Sequence, residues 1–161
     1  FVTRRRRHTR SDRDSGSDVC SSELVRLDGF RQYQLEEAWT WEHMALVRAR
    51  VVAGPEAMAT KIGNVIQEVL RQKRDAKSIL PDVAEMRERI DREKATDNPW
   101  SVKHVRGGVV DLEFIAQTFI LLNAHKHGEI IDGNTSRAFE KLARAGVIKC
   151  TIAKELISPT H

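Results

Sequence analysis

The stretch Glu36-Glu37-Ala38-Trp39-Thr40-Trp41-Glu42-His43-Met44-Ala45-Leu46-Val47-Arg48-Ala49-Arg50 holds two Trp, three carboxylates and two Arg, and no Gly or Pro. Such a composition predicts helix. The two Trp stand two residues apart, so on a helix they cannot share a face. Trp41 falls with Met44, Ala45 and Arg48, and Trp39 with Glu36, Glu42 and His43. Bulky rings on two sides predict a helix gripped on two sides, wedged between domains.

Outward from this stretch the chain reads as helices throughout. Asp28 is a plausible N-cap for one helix over residues 29–52, closed by Gly54-Pro55. Phe30, Tyr33, Trp41, Ala45 and Val52 recur along part of its surface. Pro55 suits the first turn of a second helix with an apolar stripe of Met58, Ile62, Val65, Ile66, Val69 and Leu70. Ser78 would cap a third, with Pro81 in its first turn and Val83, Met86 and Ile90 facing inward. Its remaining positions, Glu85, Arg87, Glu88, Arg89, Asp91, Arg92 and Glu93, alternate in sign as a solvated face does. Thr96-Asp97-Asn98-Pro99 breaks the pattern, and residues 100–106 read as an extended or looped approach to Gly107-Gly108. A long helix is predicted over 109–125, with Phe114, Ile115, Thr118, Leu121 and Leu122 on its buried side. Thr135 would cap a helix carrying Phe139, Leu142 and Ala143 and ended by Gly146. A short helix over 151–157 follows. The expected fold is an all-α helical bundle.

A second dense segment lies about 60 residues beyond the first: Lys103-His104-Val105-Arg106-Gly107-Gly108-Val109-Val110-Asp111-Leu112-Glu113-Phe114-Ile115-Ala116-Gln117. Together, in this order, the two segments resemble the bifunctional glutamine synthetase adenylyltransferase/adenylyl-removing family. The Trp-Thr-Trp and Val-Asp-Leu-Glu-Phe wording is closer to its C-terminal, AMP-adding half. The resemblance spans residues 25–161. It implies the helical domain that follows a nucleotidyltransferase core, in truncated form, because the Gly-Ser turn and metal-binding Asp pair of that core have no counterpart here. For the complete enzyme it further implies Mg and ATP as cofactors, transfer of AMP to a tyrosine of glutamine synthetase, and regulation through the PII signal protein. This segment alone would buttress the missing core, bind no cofactor tightly and carry no activity. The alternatives are a free-standing helical interaction module and the helical domain of a PII uridylyltransferase, which the Trp-Thr-Trp segment fits less well.

The chain has 161 residues, enough for one domain, with 6% aromatic and 31% charged content. No apolar run approaches the roughly 20 residues that span a bilayer, and no signal-like segment opens it, so a cytoplasmic location is expected. Cys20 and Cys150 have no C-x-x-C partner, which favours a reduced compartment. Arg4-Arg5-Arg6-Arg7-His8-Thr9-Arg10 invites a nucleic-acid arm. The whole run, however, resembles translated sequencing-adapter DNA, and residues 1–24 are read as a non-native or disordered tail. Setting aside its six Arg and four carboxylates leaves 21 basic residues of 27 and 19 acidic of 23, a net of +2. That balance does not point to a polyanion partner.

Gly107-Gly108 before a helix could present N–H groups to a phosphate, with Lys103 and Arg106 beside them. These four are the candidates for facing nucleotide phosphates. Asp111 and Glu113 would point in directions roughly 200° apart on a helix and so cannot form a paired metal site. One is expected to ion-pair with Arg48 or Arg50, and the other to shape the loop. Glu37, Trp39, Trp41, Glu42, Arg48, Arg50, Asp111 and Glu113 are thus structural or cleft-lining candidates. No catalytic or metal-ligating residue is assigned. A His43–His104 relay and a metal site at His125-Lys126-His127 are the weaker readings of the histidines.

Overall fold

A computed structural model describes residues 26–94 and 102–158. The tail at 1–24, the break at Thr96-Asp97-Asn98-Pro99 and Trp100 lie outside the described residues. Seven α-helices are present among the described residues, with no strand: α1 Leu27–Glu36, α2 Thr40–Val47, α3 Glu56–Leu70, α4 Ala76–Lys94, α5 Val109–Asn123, α6 Thr135–Arg144 and α7 Cys150–Ile157. A 3-10 turn, Gly128–Ile130, joins α5 to α6. The fold is an all-α bundle.

The single helix expected over 29–52 is two helices meeting at an elbow. Trp39 is extended (φ −85°, ψ 163°), which ends α1 and starts α2. Glu42, three residues on, accepts a hydrogen bond from the Trp39 N–H at 3.0 Å, the acidic half of a capping box. The same carboxylate accepts the Tyr33 hydroxyl of α1 at 2.7 Å. His43 Nε2 lies 2.8 Å from the Gln34 carbonyl, one of the unpaired acceptors at the end of α1. Three side chains therefore provide for the groups that a continuous helix would have paired internally. α2 also ends early, at Val47, and residues 48–55 run on without helix.

Other boundaries move less. Asp28 lies in the first turn of α1, and Arg26 holds the cap position. Asp75 accepts the Lys77 N–H at 3.0 Å, so α4 begins before Ser78 and Pro81 falls inside it. There the missing proline N–H leaves the Lys77 carbonyl without its usual bond. α6 is capped by Asn134, whose side chain accepts the Arg137 N–H at 3.0 Å, one residue before the expected Thr135. Gly146, at φ 70°, stops α6 as expected.

The core draws Met44, Leu46 and Val47 from α2, Val65, Val69 and Leu70 from α3, and Ala116, Ile120 and Leu121 from α5. Ala138, Phe139 and Leu142 of α6 and Ile130 of the 3-10 turn complete it. A fully buried Leu, Ile or Phe contributes about 1.5–3 kcal/mol, so α5 and α6 anchor the bundle. α5 packs against α2, α4 and α6, so its buried surface is no single stripe. Thr118 and Leu121 are buried as expected, but Ile115 is exposed, and Val110, Ala116, Gln117 and Ile120 are buried in its place. Met58, counted in the stripe of α3, is exposed as well.

Candidate functional site

The two signature segments meet. α2 packs on α5, and Arg48, at the C-terminal end of α2, pairs with Glu113 of α5 at 2.7 Å. Asp111, on another side of α5, shapes the loop: its carboxylate accepts the Gly107 N–H and the Arg87 Nε of α4. One carboxylate thus pairs with α2 and the other bonds within the turn and to α4.

Arg87 holds the turn from below. Besides Asp111 it donates to the His104 carbonyl at 3.1 Å and to Asp91 at 3.3 Å, and Arg106 reaches Asp91 at 3.3 Å. The Arg87 guanidinium and the Gly107 amide outweigh the effect of burial on Asp111 and hold its carboxyl below the usual range. Arg87 is in turn held more firmly protonated by Asp111. This role was not legible from residue order, because Arg87 and Asp91 sit in a run of alternating charge like any solvated face.

The geometry also redirects the phosphate idea. Gly108 N–H donates to the Val105 carbonyl at 2.9 Å, Val109 N–H to Val102 at 3.1 Å, and Val110 N–H to Lys103 at 3.1 Å. With Gly107 N–H on Asp111, all four amides around the Gly pair are occupied within the loop. Among the described residues, the cationic side chains an anion would meet here are those of Lys103 and Arg106, both exposed. The two glycines serve the turn itself. Gly107 is at φ 78°, and a Cβ on Gly108 would lie 2.8 Å from the Val105 carbonyl oxygen and closer still to that of Val102.

The two tryptophans stand at the surface of the described residues. Trp39 is 66% exposed and Trp41 50%, so the described residues leave both rings largely open. The buried residues of α2 are Met44, Leu46 and Val47. Both rings line an open cleft of about 430 Å³ with Thr40 and with Asp82, Glu85, Met86 and Arg89 of α4. Thr40 Oγ1 donates to Asp82 across the cleft floor. Arg50 lines a second, smaller cleft of about 320 Å³ with Gly63, Gln67 and Asp132. Glu37 stands exposed at the elbow.

Further charged residues were not legible as site members. Asp132 accepts from the Asn134 N–H, Arg137 and Lys141; burial alone would raise its pKa, but these donors bring it down to about 2. Arg74 donates to the carbonyls of Val69, Leu70 and Gln72 at the end of α3, and burial lowers its pKa to about 10. Burial, with Arg74 nearby, also lowers the pKa of His43, against the opposing pull of Gln34 and Glu42. His43 is thus taken up by the elbow, and no hydrogen bond joins it to His104 among the described residues. Among those residues no three His, Cys, Asp or Glu converge as a metal site. No described helix is long and apolar enough to cross a membrane.

With this geometry in hand, comparison with known proteins is specific. Residues 13–65 match the profile of a family described as glutamate-ammonia ligase adenylyltransferase. The chain is 47% identical over 123 residues to a bifunctional glutamine synthetase adenylyltransferase/adenylyl-removing enzyme of Rhodopseudomonas palustris, covering 76% of this chain and 12% of that protein. It is 45% identical over 125 residues to the enzyme of the same name from Xanthobacter autotrophicus, covering 78% and 13%. The corresponding figures for Agrobacterium fabrum are 44% over 125 residues, 74% and 12%. The chain therefore spans about an eighth of the length of these relatives.

Proposed function

The chain belongs to the glutamate-ammonia ligase adenylyltransferase family, and from that premise we propose that it is a helical buttress from the AMP-adding half of such an enzyme. The complete enzyme would move AMP from ATP to a tyrosine of glutamine synthetase and answer to the PII signal protein. The chemistry at ATP, and the Mg it uses, would belong to parts of the polypeptide outside this chain. The observation that carries this function is the meeting of two distant signature segments through Arg48 and Glu113. In this reading α2, α5 and the turn before α5 would act together as one support.

On this support Lys103 and Arg106 are the groups of the turn, among the described residues, that would face a nucleotide's phosphates, because its amides are internally paired. They would attract the polyphosphate as cations, Arg106 being steadied by Asp91. This chain alone would transfer no AMP.

The test is AMP incorporation into glutamine synthetase by a complete adenylyltransferase carrying this segment. Arg48→Glu and Glu113→Arg should each lower the rate, and the two together should restore part of it. AMP transfer by the isolated chain, or single substitutions with no effect on rate, would overturn the proposal.

A further inference from the structure

The cleft between the start of α2 and α4 has a composition that selects its occupant. Trp39 and Trp41 present large exposed rings, and Met86 adds an apolar surface between them and α4. Around these stand Asp82, Glu85 and Arg89, and Arg89 is already paired with Glu85 at 2.9 Å on the same helix. Asp82 has Thr40 as a neutral hydrogen-bond donor and no cation among the described residues.

Three kinds of occupant can be compared. A wholly apolar segment would cover the rings but bury the Asp82 carboxylate with only the neutral Thr40 hydroxyl beside it and take the Glu85–Arg89 pair out of water, both of which are unfavourable. An acidic segment would meet two like charges. A cationic side chain satisfies both features, because a guanidinium or ammonium stacks on the indole face and pairs with the carboxylates beside it. Arginine suits the site best, being planar, weakly hydrated and able to bond a carboxylate through two N–H groups. The volume of about 430 Å³ is in the range of roughly 300–1,000 Å³ usual for binding clefts.

We propose that this cleft docks an arginine-bearing segment of a partner protein, its guanidinium held between the indoles of Trp39 and Trp41 and the carboxylates of Asp82 and Glu85. The exposed Glu85–Arg89 pair is easily exchanged for the incoming cation. The proposal does not depend on the buttress role, since it rests on the cleft alone.

The test uses the intact chain carrying Trp100→Phe, so that only Trp39 and Trp41 fluoresce, titrated with a capped tetra-arginine peptide and with tetra-glutamine as the neutral control. The arginine peptide should give a saturable, salt-sensitive change and the glutamine peptide none. Asp82→Asn with Glu85→Gln should weaken the arginine response about tenfold, as loss of paired charges at a cation site does. Glu85→Gln alone, at a side chain 68% exposed, cannot disturb folding and should give a smaller loss in the same direction. Equal responses to both peptides, or unchanged binding in both variants, would overturn the proposal. So would a dimer that Trp39→Ala dissociates, since it would assign the cleft to a second copy of the chain.

Discussion

The turn before α5 and the elbow before α2 are the two signature segments of this chain, and they dispose of their chemistry in opposite ways. At the turn, every amide of the Gly pair is bonded internally, the carboxylate of Asp111 is shared between a backbone donor and Arg87, and little is left for a ligand beyond two side chains. At the elbow the Trp39 N–H and the Gln34 carbonyl are likewise paired, through Glu42 and His43. Its largest apolar surfaces, however, face outward. A dense motif can therefore be dense for two reasons: to build a tight piece of backbone, or to hold a surface out for something else. Burial separates the two, where residue type does not.

Substitutions sharpen that contrast. The largest loss is expected at the turn. Gly108→Ala drives a Cβ against two carbonyl oxygens that belong to backbone and cannot swing aside, costing about 3 kcal/mol of unfolding free energy. Gly107→Ala meets nothing within 4 Å and pays only for its left-handed backbone, about 1 kcal/mol. Urea unfolding of the two variants should show this order, and a reversed order would show that sterics do not set the turn.

Arg87→Met comes next. It keeps most of the side-chain stem but leaves Asp111 and the His104 carbonyl without their donor, with an expected loss of about 2 kcal/mol. The Asp111 carboxyl should then titrate at higher pH, which carboxyl-detected NMR can follow. An unmoved titration would remove Arg87 from the network.

A smaller effect concerns acid. Asp132 has its pKa lowered from 3.8 to about 2 in the folded chain, so its stabilisation is complete above about pH 4 and is lost as pH falls from there to 2. Arg137 beside it is largely exposed, and with solvent screening the contribution is about 1 kcal/mol. Asp132→Asn should be less stable by that amount at pH 7, and its urea midpoint should fall less steeply than that of the parent between pH 4 and 2. Trp39→Ala completes the order. As a change at an exposed site it should alter stability by no more than about 0.5 kcal/mol, even though it removes the largest side chain of the elbow. A large thermal destabilisation there would mean the ring is structural after all.

Much of the architecture was legible because apolar spacing and Gly punctuation agree. Val65, Val69 and Leu70 mark the inner face of α3, and Phe139 and Leu142 followed by Gly146 mark α6 and its end. The elbow was hidden for a physical reason. Every residue around Trp39 tolerates helix, and the break is made by Glu42, Tyr33 and His43 acting across the bend, a tertiary arrangement that local propensity does not report. α5 misled in another way: packed on three sides, it has no single stripe to read. The pairing of Arg48 with Glu113 was within reach because both stand in recognisable motifs. Arg87 was not, since its partners Asp111 and the His104 carbonyl lie 17 or more residues away and its neighbours look like ordinary solvated charge.

The central claim is that α2 and α5 form one brace. Methyl-resolved NMR tests it most directly, through nuclear Overhauser contacts between the buried methyls of α2, Met44 and Val47, and those of α5, Ile120 and Leu121. The brace predicts cross-peaks between the two sets in the native chain. A well-dispersed spectrum of folded protein in which those cross-peaks are missing would contradict it.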